Sequence, residues 1–297
     1  MKFYIVTPTY NALSWLQCCI RSVADQVTDG VAVHHHVQDG GSADGTSAWL
    51  QQWQTEHAAV PGYTFTYESG KDAGMYDALN RAWAKIPSDA DVTAHLNSDE
   101  QYLPGALKGV AEAVLAHPGA AVFSCAFIIV DSECRYICHR RPTQPCRWRS
   151  QSVCELNTCS CFHRVDAFLK HGIRFDIRYR SIADLVMYRD IVKCGLRIKV
   201  LPGLFTSTFA VTGVNLGWSE VTEREFAMLA AESPRWTMKY RRFLNLLSNL
   251  GRRLNEWSCP PPQNFALYLH AETKRTPKRI KHPTAHWGLR TEAIDEE

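Results

Sequence analysis

The sequence predicts an α/β protein: a doubly wound, mostly parallel sheet flanked by helices, followed by a C-terminal helical extension. Three observations carry that prediction. Short runs of strand formers alternate with segments whose apolar residues recur at helical spacing, the order of a parallel sheet with helical crossovers. The first, second and fourth runs each end in a cluster of turn-forming and oxygen-bearing residues. The chain has 297 residues, 45% of them apolar and 21% charged, enough for one large α/β domain with an appendage.

Phe3-Tyr4-Ile5-Val6 is the first strand, apolar on both faces. Pro8 lacks the N–H that a ladder needs, so Thr7-Pro8-Thr9-Tyr10-Asn11 reads as a loop. Leu13, Leu16, Ile20 and Val23 then mark a helix, with Asn11 or Ser14 as its N-cap. Val31 to Val37 forms the second strand. Its three histidines cannot converge on one ion, because a strand sends His34 and His36 to one face and His35 to the other. The turn Gln38-Asp39-Gly40-Gly41-Ser42-Ala43-Asp44-Gly45-Thr46 follows, with Asp44 or Thr46 as cap for the helix bearing Ala48, Leu50 and Trp53. Tyr63 to Glu68 alternates in period two as a third strand. Lys71 to Arg81 is a turn running into a helix. Asp91 to Leu96 then delivers Asn97-Ser98-Asp99-Glu100 at the end of a fourth strand, before Pro104-Gly105 break the backbone. Further strands are expected at Ala121–Ile129 and Arg135–His139, and Arg140, Arg141, Arg147 and Arg149 read as a solvated basic loop.

Composition excludes several classes. A net charge of +3 argues neither for nor against nucleic acid, because clustering matters more than the sign of the balance, and no nucleic-acid partner is expected. No apolar run reaches the roughly 18 residues of a membrane span, and the N-terminus lacks a signal-peptide pattern, so a cytoplasmic protein is expected. Eleven cysteines, an odd number, then read as reduced thiols. Seven fall between Cys125 and Cys161, but their spacings lack the paired Cys-x-x-Cys of a zinc site. The turn after the first strand is not the Gly-x-Gly-x-x-Gly of dinucleotide binders, which argues against an NAD-dependent oxidoreductase.

Four segments in order carry a more specific signal: Thr7-Pro8-Thr9-Tyr10-Asn11, Asp39 to Thr46, Asp72-Ala73-Gly74-Met75-Tyr76-Asp77-Ala78-Leu79-Asn80, and Leu96-Asn97-Ser98-Asp99-Glu100. Together they resemble the family 2 glycosyltransferases, which have the GT-A fold and transfer sugars with inversion from nucleotide donors. The resemblance is dense over residues 3–105 and thins towards 215. It implies a GT-A catalytic domain at 1–215 and an extension with a basic tail at 216–297.

The resemblance also implies roles. Pro8, Thr9 and Tyr10 line the base pocket, and Asp39 bonds the base. Asp72 and Arg81 support the nucleotide sugar, Arg81 by offsetting phosphate charge. Asn97 and Ser98 join that site. Asp99 matches the last aspartate of the family's Asp-x-Asp motif and would hold Mn²⁺ or Mg²⁺ on the diphosphate. Asn97 replaces the first aspartate and Glu100 stands where a second consecutive aspartate is common, so a catalytically silent nucleotide-binding relative is the rival reading. Direct displacement also needs a base. Arg178 to Arg189 resembles the segment that carries it, which makes Asp184 the candidate and Asp176 and Asp190 the alternatives.

Beyond 215 the chain changes character. Trp236, Tyr240, Phe243, Leu247, Leu250, Leu254 and Trp257 recur at helical spacing among arginines and lysines. Such a helix over 235–257 can lie on an anionic membrane face, although packing of its stripe on the catalytic domain is the expectation here. The tail from Lys274 reads as basic and mobile. The implied enzyme moves sugar from a nucleotide sugar, a UDP-sugar by preference, to a glycan or lipid-linked acceptor of a surface or secreted polysaccharide, in the cytoplasm or peripheral to the inner membrane.

Overall fold

The computed structural model describes residues 1–212 and 220–285. Nine strands form the main sheet: β1 (Lys2–Thr9), β2 (Ala32–Asp39), β3 (Tyr63–Ser69), β4 (Val92–His95), β5 (Gln101–Tyr102), β6 (Val122–Asp131), β7 (Tyr136–Arg140), β8 (Cys161–Arg164) and β9 (Ile198–Val211). Helices α1 (Leu13–Ala24), α2 (Thr46–Glu56), α3 (Met75–Trp83), α4 (Ala106–Ala116), α5 (Val165–Lys170) and α6 (Ala183–Lys193) cover it. The spatial order is β3-β2-β1-β4-β8-β6-β9-β5, with β7 beside β6. Strands β1 to β4 are parallel, as are β6 and β9, while β8 runs antiparallel between β4 and β6. The sheet is therefore mostly parallel, as the alternating pattern predicts.

Period two in β1 builds the core on both sides. Phe3 and Ile5 join Leu16, Ile20, Leu50 and Leu107 on one face; Tyr4 and Val6 join Leu79, Trp83, Phe168 and Val186 on the other. The strand runs through Pro8 to Thr9 rather than stopping at Val6. The carbonyls of Lys2 and Val6 bond towards β4, and those of Met1 and Thr9 towards β2. Pro8 shares the phase of Lys2 and Val6, so its missing N–H falls on the side where β4 has already ended. The ladder loses nothing. His34 and His36 share the Thr66 hydroxyl, each at 2.9 Å, and His35 meets Thr7 Oγ1 at 2.9 Å. Burial drives the imidazoles down, His34 to about 4 and His35 to about 3, so they are neutral structural groups. Seven of the eleven cysteines are buried free thiols.

The C-terminal part departs from expectation in three ways, while the boundary at 215/216 lies outside the described residues. After α7 (Glu220–Glu232), the anticipated single helix breaks at Tyr240 into α8 (Arg235–Lys239) and α9 (Arg241–Ser258). The side of α9 turned inward presents Leu244 and Ser248, so the apolar stripe Phe243-Leu246-Leu250-Leu254-Trp257 faces solvent instead of packing. Helical spacing identifies a stripe but not the direction it faces. Finally, part of the tail forms a hairpin, β10 (Asn264–Tyr268) with β11 (Arg275–Arg279). Gln101 holds it by exchanging two hydrogen bonds with the Tyr268 backbone, at 2.9 and 2.8 Å, and Arg275 pairs with Asp25 at 2.5 Å. The basic loop is not wholly solvated either, since Arg141 is fully buried.

Candidate active site

The carboxyl ends of β1, β2 and β4, with the turn after β3, open into one cleft of about 1400 Å³. Ligands of open α/β sheets bind at such an edge. Pro8, Thr9 and Tyr10 reach it from β1, Asp72 from the turn before α3, and Asn97, Ser98 and Asp99 from the turn after β4. Asp39, Arg81 and Asp184 are not among its lining residues.

Two loops are tied together to make one wall. Asn11 adopts a left-handed backbone, φ 48°, a conformation that asparagine tolerates better than most residues. Its N–H donates to Ser42 Oγ at 2.7 Å and its Oδ1 accepts from Ala43 N at 2.8 Å. Neither Asn11 nor Ser14 caps α1; Asp44 Oδ2 accepts from Leu13 N at 3.0 Å, so the cap comes from the second loop. Gly40 sits where this wall meets the next. A Cβ there would lie 3.0 Å from Asp72 Oδ2 and 3.3 Å from Tyr10 Cδ2, so any larger residue would push these two side chains back by a few tenths of an ångström.

Asp39 lies beneath that wall, fully buried. Its carboxylate accepts from Ser42 N at 3.2 Å, Ser42 Oγ at 2.5 Å and Ser69 Oγ at 2.6 Å, so it anchors the loop that shapes the cleft. Arg81 is exposed and pairs with Asp77 at 2.6 Å. It also donates to Lys71 O at 3.1 Å, which braces the turn carrying Asp72. Lys71 itself is an exposed cation on the cleft.

The turn after β4 closes on itself. Asn97 N donates to Glu100 Oε2 at 2.8 Å, and Glu100 N to Asn97 O at 3.0 Å. This directs Glu100 inward, 1% exposed, and leaves Asp99 facing the cleft. Burial lifts the Asp99 carboxyl above its usual range. Burial and then the Asp99 charge push Glu100 up to about 8. Asn97 Oδ1 and Glu100 Oε1 are buried without a hydrogen-bond partner. Two crowded carboxyls and two unpartnered oxygens form a hard-oxygen environment suited to Mg²⁺ or Mn²⁺. Among the described residues no cluster of three or more His, Cys, Asp or Glu side chains is positioned for a metal. An ion here would complete its shell with diphosphate oxygens and water.

Asp184 occupies the first turn of α6, behind the cleft wall formed by Tyr76, Arg180 and Ser181. Its Oδ1 accepts from Leu185 N at 2.8 Å, and Cys154 Sγ lies 3.8 Å from Oδ2. Burial raises its carboxyl above the usual range, a shift that favours proton uptake. Asp176 is tied to Arg178 at 2.6 Å and Asp190 to Arg189 at 2.9 Å. His163, on β8, is buried against Phe168 and Tyr188. Arg180 and Tyr76 also line the cleft, and nothing local in the sequence separates them from a solvated arginine and a core tyrosine.

Residues 4–171 match the family described as Glycosyl transferase family 2. Among solved structures, TarS 1-349 of S. aureus in complex with UDP-GlcNAc aligns with a TM-score of 0.59 at 16% identity, covering 77% of this chain and 64% of that one. The mannosyltransferase PcManGT from Pyrobaculum calidifontis, in complex with GDP-Man and Mn2+, aligns with a TM-score of 0.59 at 16% identity, covering 86% and 73%. This chain thus spans just under two thirds of TarS 1-349, and at such identities the likeness concerns the fold. With more than half of its residues inside the family match, the chain belongs to glycosyl transferase family 2 and has the GT-A fold.

Proposed function

We propose that this glycosyltransferase moves a sugar, with inversion, from a nucleoside-diphosphate donor to a hydroxyl of a glycan or lipid-linked acceptor in polysaccharide biosynthesis. A UDP-sugar is the favoured donor. The observation that carries the reading is the meeting of Tyr10, Asp72 and Asp99, from three separate strand ends, in one cleft. Tyr10 offers its ring to the base beside Pro8 and Thr9, over the loop that Asp39 anchors. Asn97, Ser98 and Asp72 contact the ribose and diphosphate. Lys71 and Arg180 offset phosphate charge from the cleft walls, with Arg81 bracing the turn behind Lys71.

Asp99, with Asn97 Oδ1, would hold Mn²⁺ or Mg²⁺. A bound divalent ion would stabilise negative charge on the departing diphosphate. Asp184 takes the acceptor hydroxyl's proton as the acceptor oxygen bonds to the anomeric carbon and the bond to diphosphate breaks. Burial holds its carboxyl above the usual carboxylate range, which makes it a better proton acceptor than an exposed aspartate.

The acceptor side includes a lipid surface. No helix among the described residues is long and apolar enough to cross a membrane. The exposed stripe of α9, flanked by exposed Arg242 and Arg253, has the form of a helix lying in an anionic interface. That contact, through residues 235–257, keeps the enzyme peripheral to the cytoplasmic membrane face.

A thermal-shift panel of UDP, GDP, dTDP, CMP and NAD, each with and without Mn²⁺, tests the reading. A ligand at a hundredfold excess over its dissociation constant stabilises the folded state by about 2.7 kcal/mol. A Mn²⁺-dependent shift with a nucleoside diphosphate is expected; a shift with NAD alone would overturn the proposal.

A further inference from the structure

Glu225 belongs to α7, outside the family match, yet it is buried against the helix that carries Asp184. Its carboxylate accepts from three consecutive backbone N–H groups: Arg180 N at 2.5 Å, Ser181 N at 2.9 Å and Ile182 N at 3.0 Å. One turn earlier on α7, buried Thr222 shares a hydrogen bond with Ser181 Oγ at 2.8 Å. Ile182 is the N-cap of α6 and has no side-chain cap of its own, so Glu225 takes one of the four N–H groups that a helix opening leaves unpaired and two more from the turn just before it. A carboxylate in that position also meets the positive end of the helix dipole. The cap is supplied from 43 to 45 residues downstream.

The capped segment is a wall of the cleft. Arg180 and Ser181 line it, and Asp184 follows two residues after Ile182. We infer that Glu225 is a positioning residue for glycosyl transfer: by clamping the Arg180–Ile182 backbone, it fixes the first turn of α6 and hence the position of the Asp184 carboxylate behind the cleft wall that Arg180 and Ser181 form. The inference rests on Asp184 being the base. Misplacing a reacting group by about 1 Å can cost roughly a hundredfold in rate. On this view the C-terminal extension completes the active site, and α7 cannot be removed without loss of catalysis.

The test uses the full chain with Glu225→Gln, Glu225→Ala and Asp184→Asn. A carboxamide keeps the shape but has one acceptor oxygen in place of two, so part of the clamp is lost in a side chain that still fits. Nucleoside diphosphate release is measured across UDP- and GDP-sugars with Mn²⁺, and kinetics follow on the most active donor, well below each variant's melting temperature. Amide hydrogen exchange over residues 180–186 is measured in parallel. The expected result for Glu225→Gln is a fall in kcat of at least tenfold with donor KM within about threefold, and faster exchange confined to 180–186. A merely structural role would lower the melting temperature and leave kcat unchanged in the folded protein. If Asp184→Asn is inactive while Glu225→Gln retains kcat within twofold, the inference alone is overturned. If Asp184→Asn retains full turnover, or the parent releases nothing from any donor, the underlying reading falls and takes the inference with it. Should Glu225→Ala fail to fold, the isosteric variant decides.

Discussion

Truncating Arg141 to alanine should destabilise the protein by about 3 kcal/mol, towards the lower end of the roughly 3–5 kcal/mol typical of breaking a buried ion pair. The guanidinium is fully buried and joins the C-terminal extension to β9. Nε meets Glu256 Oε1 of α9 at 2.8 Å, Nη1 meets Pro202 O at 2.5 Å, and Nη2 meets Pro260 O at 2.7 Å. Its plane lies 5.1 Å from the Phe205 ring centroid. Alanine leaves these acceptors behind, and a buried acceptor without a partner costs about 1–3 kcal/mol. Two features moderate the loss. Glu256 is 20% exposed, and it keeps its contact with His139 Nε2 at 2.8 Å. Urea unfolding followed by tryptophan fluorescence measures the effect. For a slope near ~3 kcal/mol/M, the midpoint should fall by roughly 1 M with the slope unchanged. Arg141→Lys should recover only part, because an ammonium cannot reproduce the planar fork. A loss below about 1 kcal/mol would refute the reasoning, since water would then be replacing the network without cost.

Three further predictions concern the site and the surface. In metal-free protein Glu100 stays protonated up to about pH 8 when folded but ionises in the usual carboxyl range when unfolded, so the folded state binds the extra proton between. Stability should therefore fall as pH rises through that window, by about 1.4 kcal/mol per unit in its middle, and Glu100→Gln should flatten the slope; equal slopes in EDTA from pH 5 to 8 would count against it. Asp99→Ala should abolish the Mn²⁺ dependence of nucleoside diphosphate binding in calorimetry, and undiminished dependence would remove the metal role. Replacing Leu250 and Leu254 by Asp should cut co-sedimentation with vesicles containing phosphatidylglycerol at least tenfold without altering the melting temperature, whereas unchanged binding would acquit α9 as the lipid surface.

Much of the cleft was legible because its signals are local. Buried strands read as apolar runs, and the turns that end them carry Gly40, Asp72 and Asn97 to Asp99, so parallel strand ends and their polar clusters follow from neighbouring residues. What escaped depends on partners distant in the chain. The antiparallel insertion of β8 between β4 and β6 is fixed only by long-range pairing. The stretch from Lys274 reads as a mobile tail because Lys274, Arg275, Lys278 and Arg279 look solvated, yet β11 pairs with β10, and Gln101 and Asp25, far upstream, order the hairpin. Arg141 looked solvated for the same reason, its acceptors lying at Pro202, Glu256 and Pro260. Asp39 and Arg81 stand in the right motifs, yet the folded chain engages both with neighbouring loop groups. Nothing near Asp184 hints that Glu225 holds its helix.

The central claim, that this cleft transfers a sugar with Asp184 as the base, is tested most directly by nucleoside diphosphate release from UDP- and GDP-sugars in the parent protein and Asp184→Asn. The account predicts Mn²⁺-stimulated release by the parent from one donor class. In Asp184→Asn release should fall by roughly 10²- to 10⁴-fold while nucleotide binding is retained. Undiminished turnover in the variant, or no release from any donor by the parent, would contradict it.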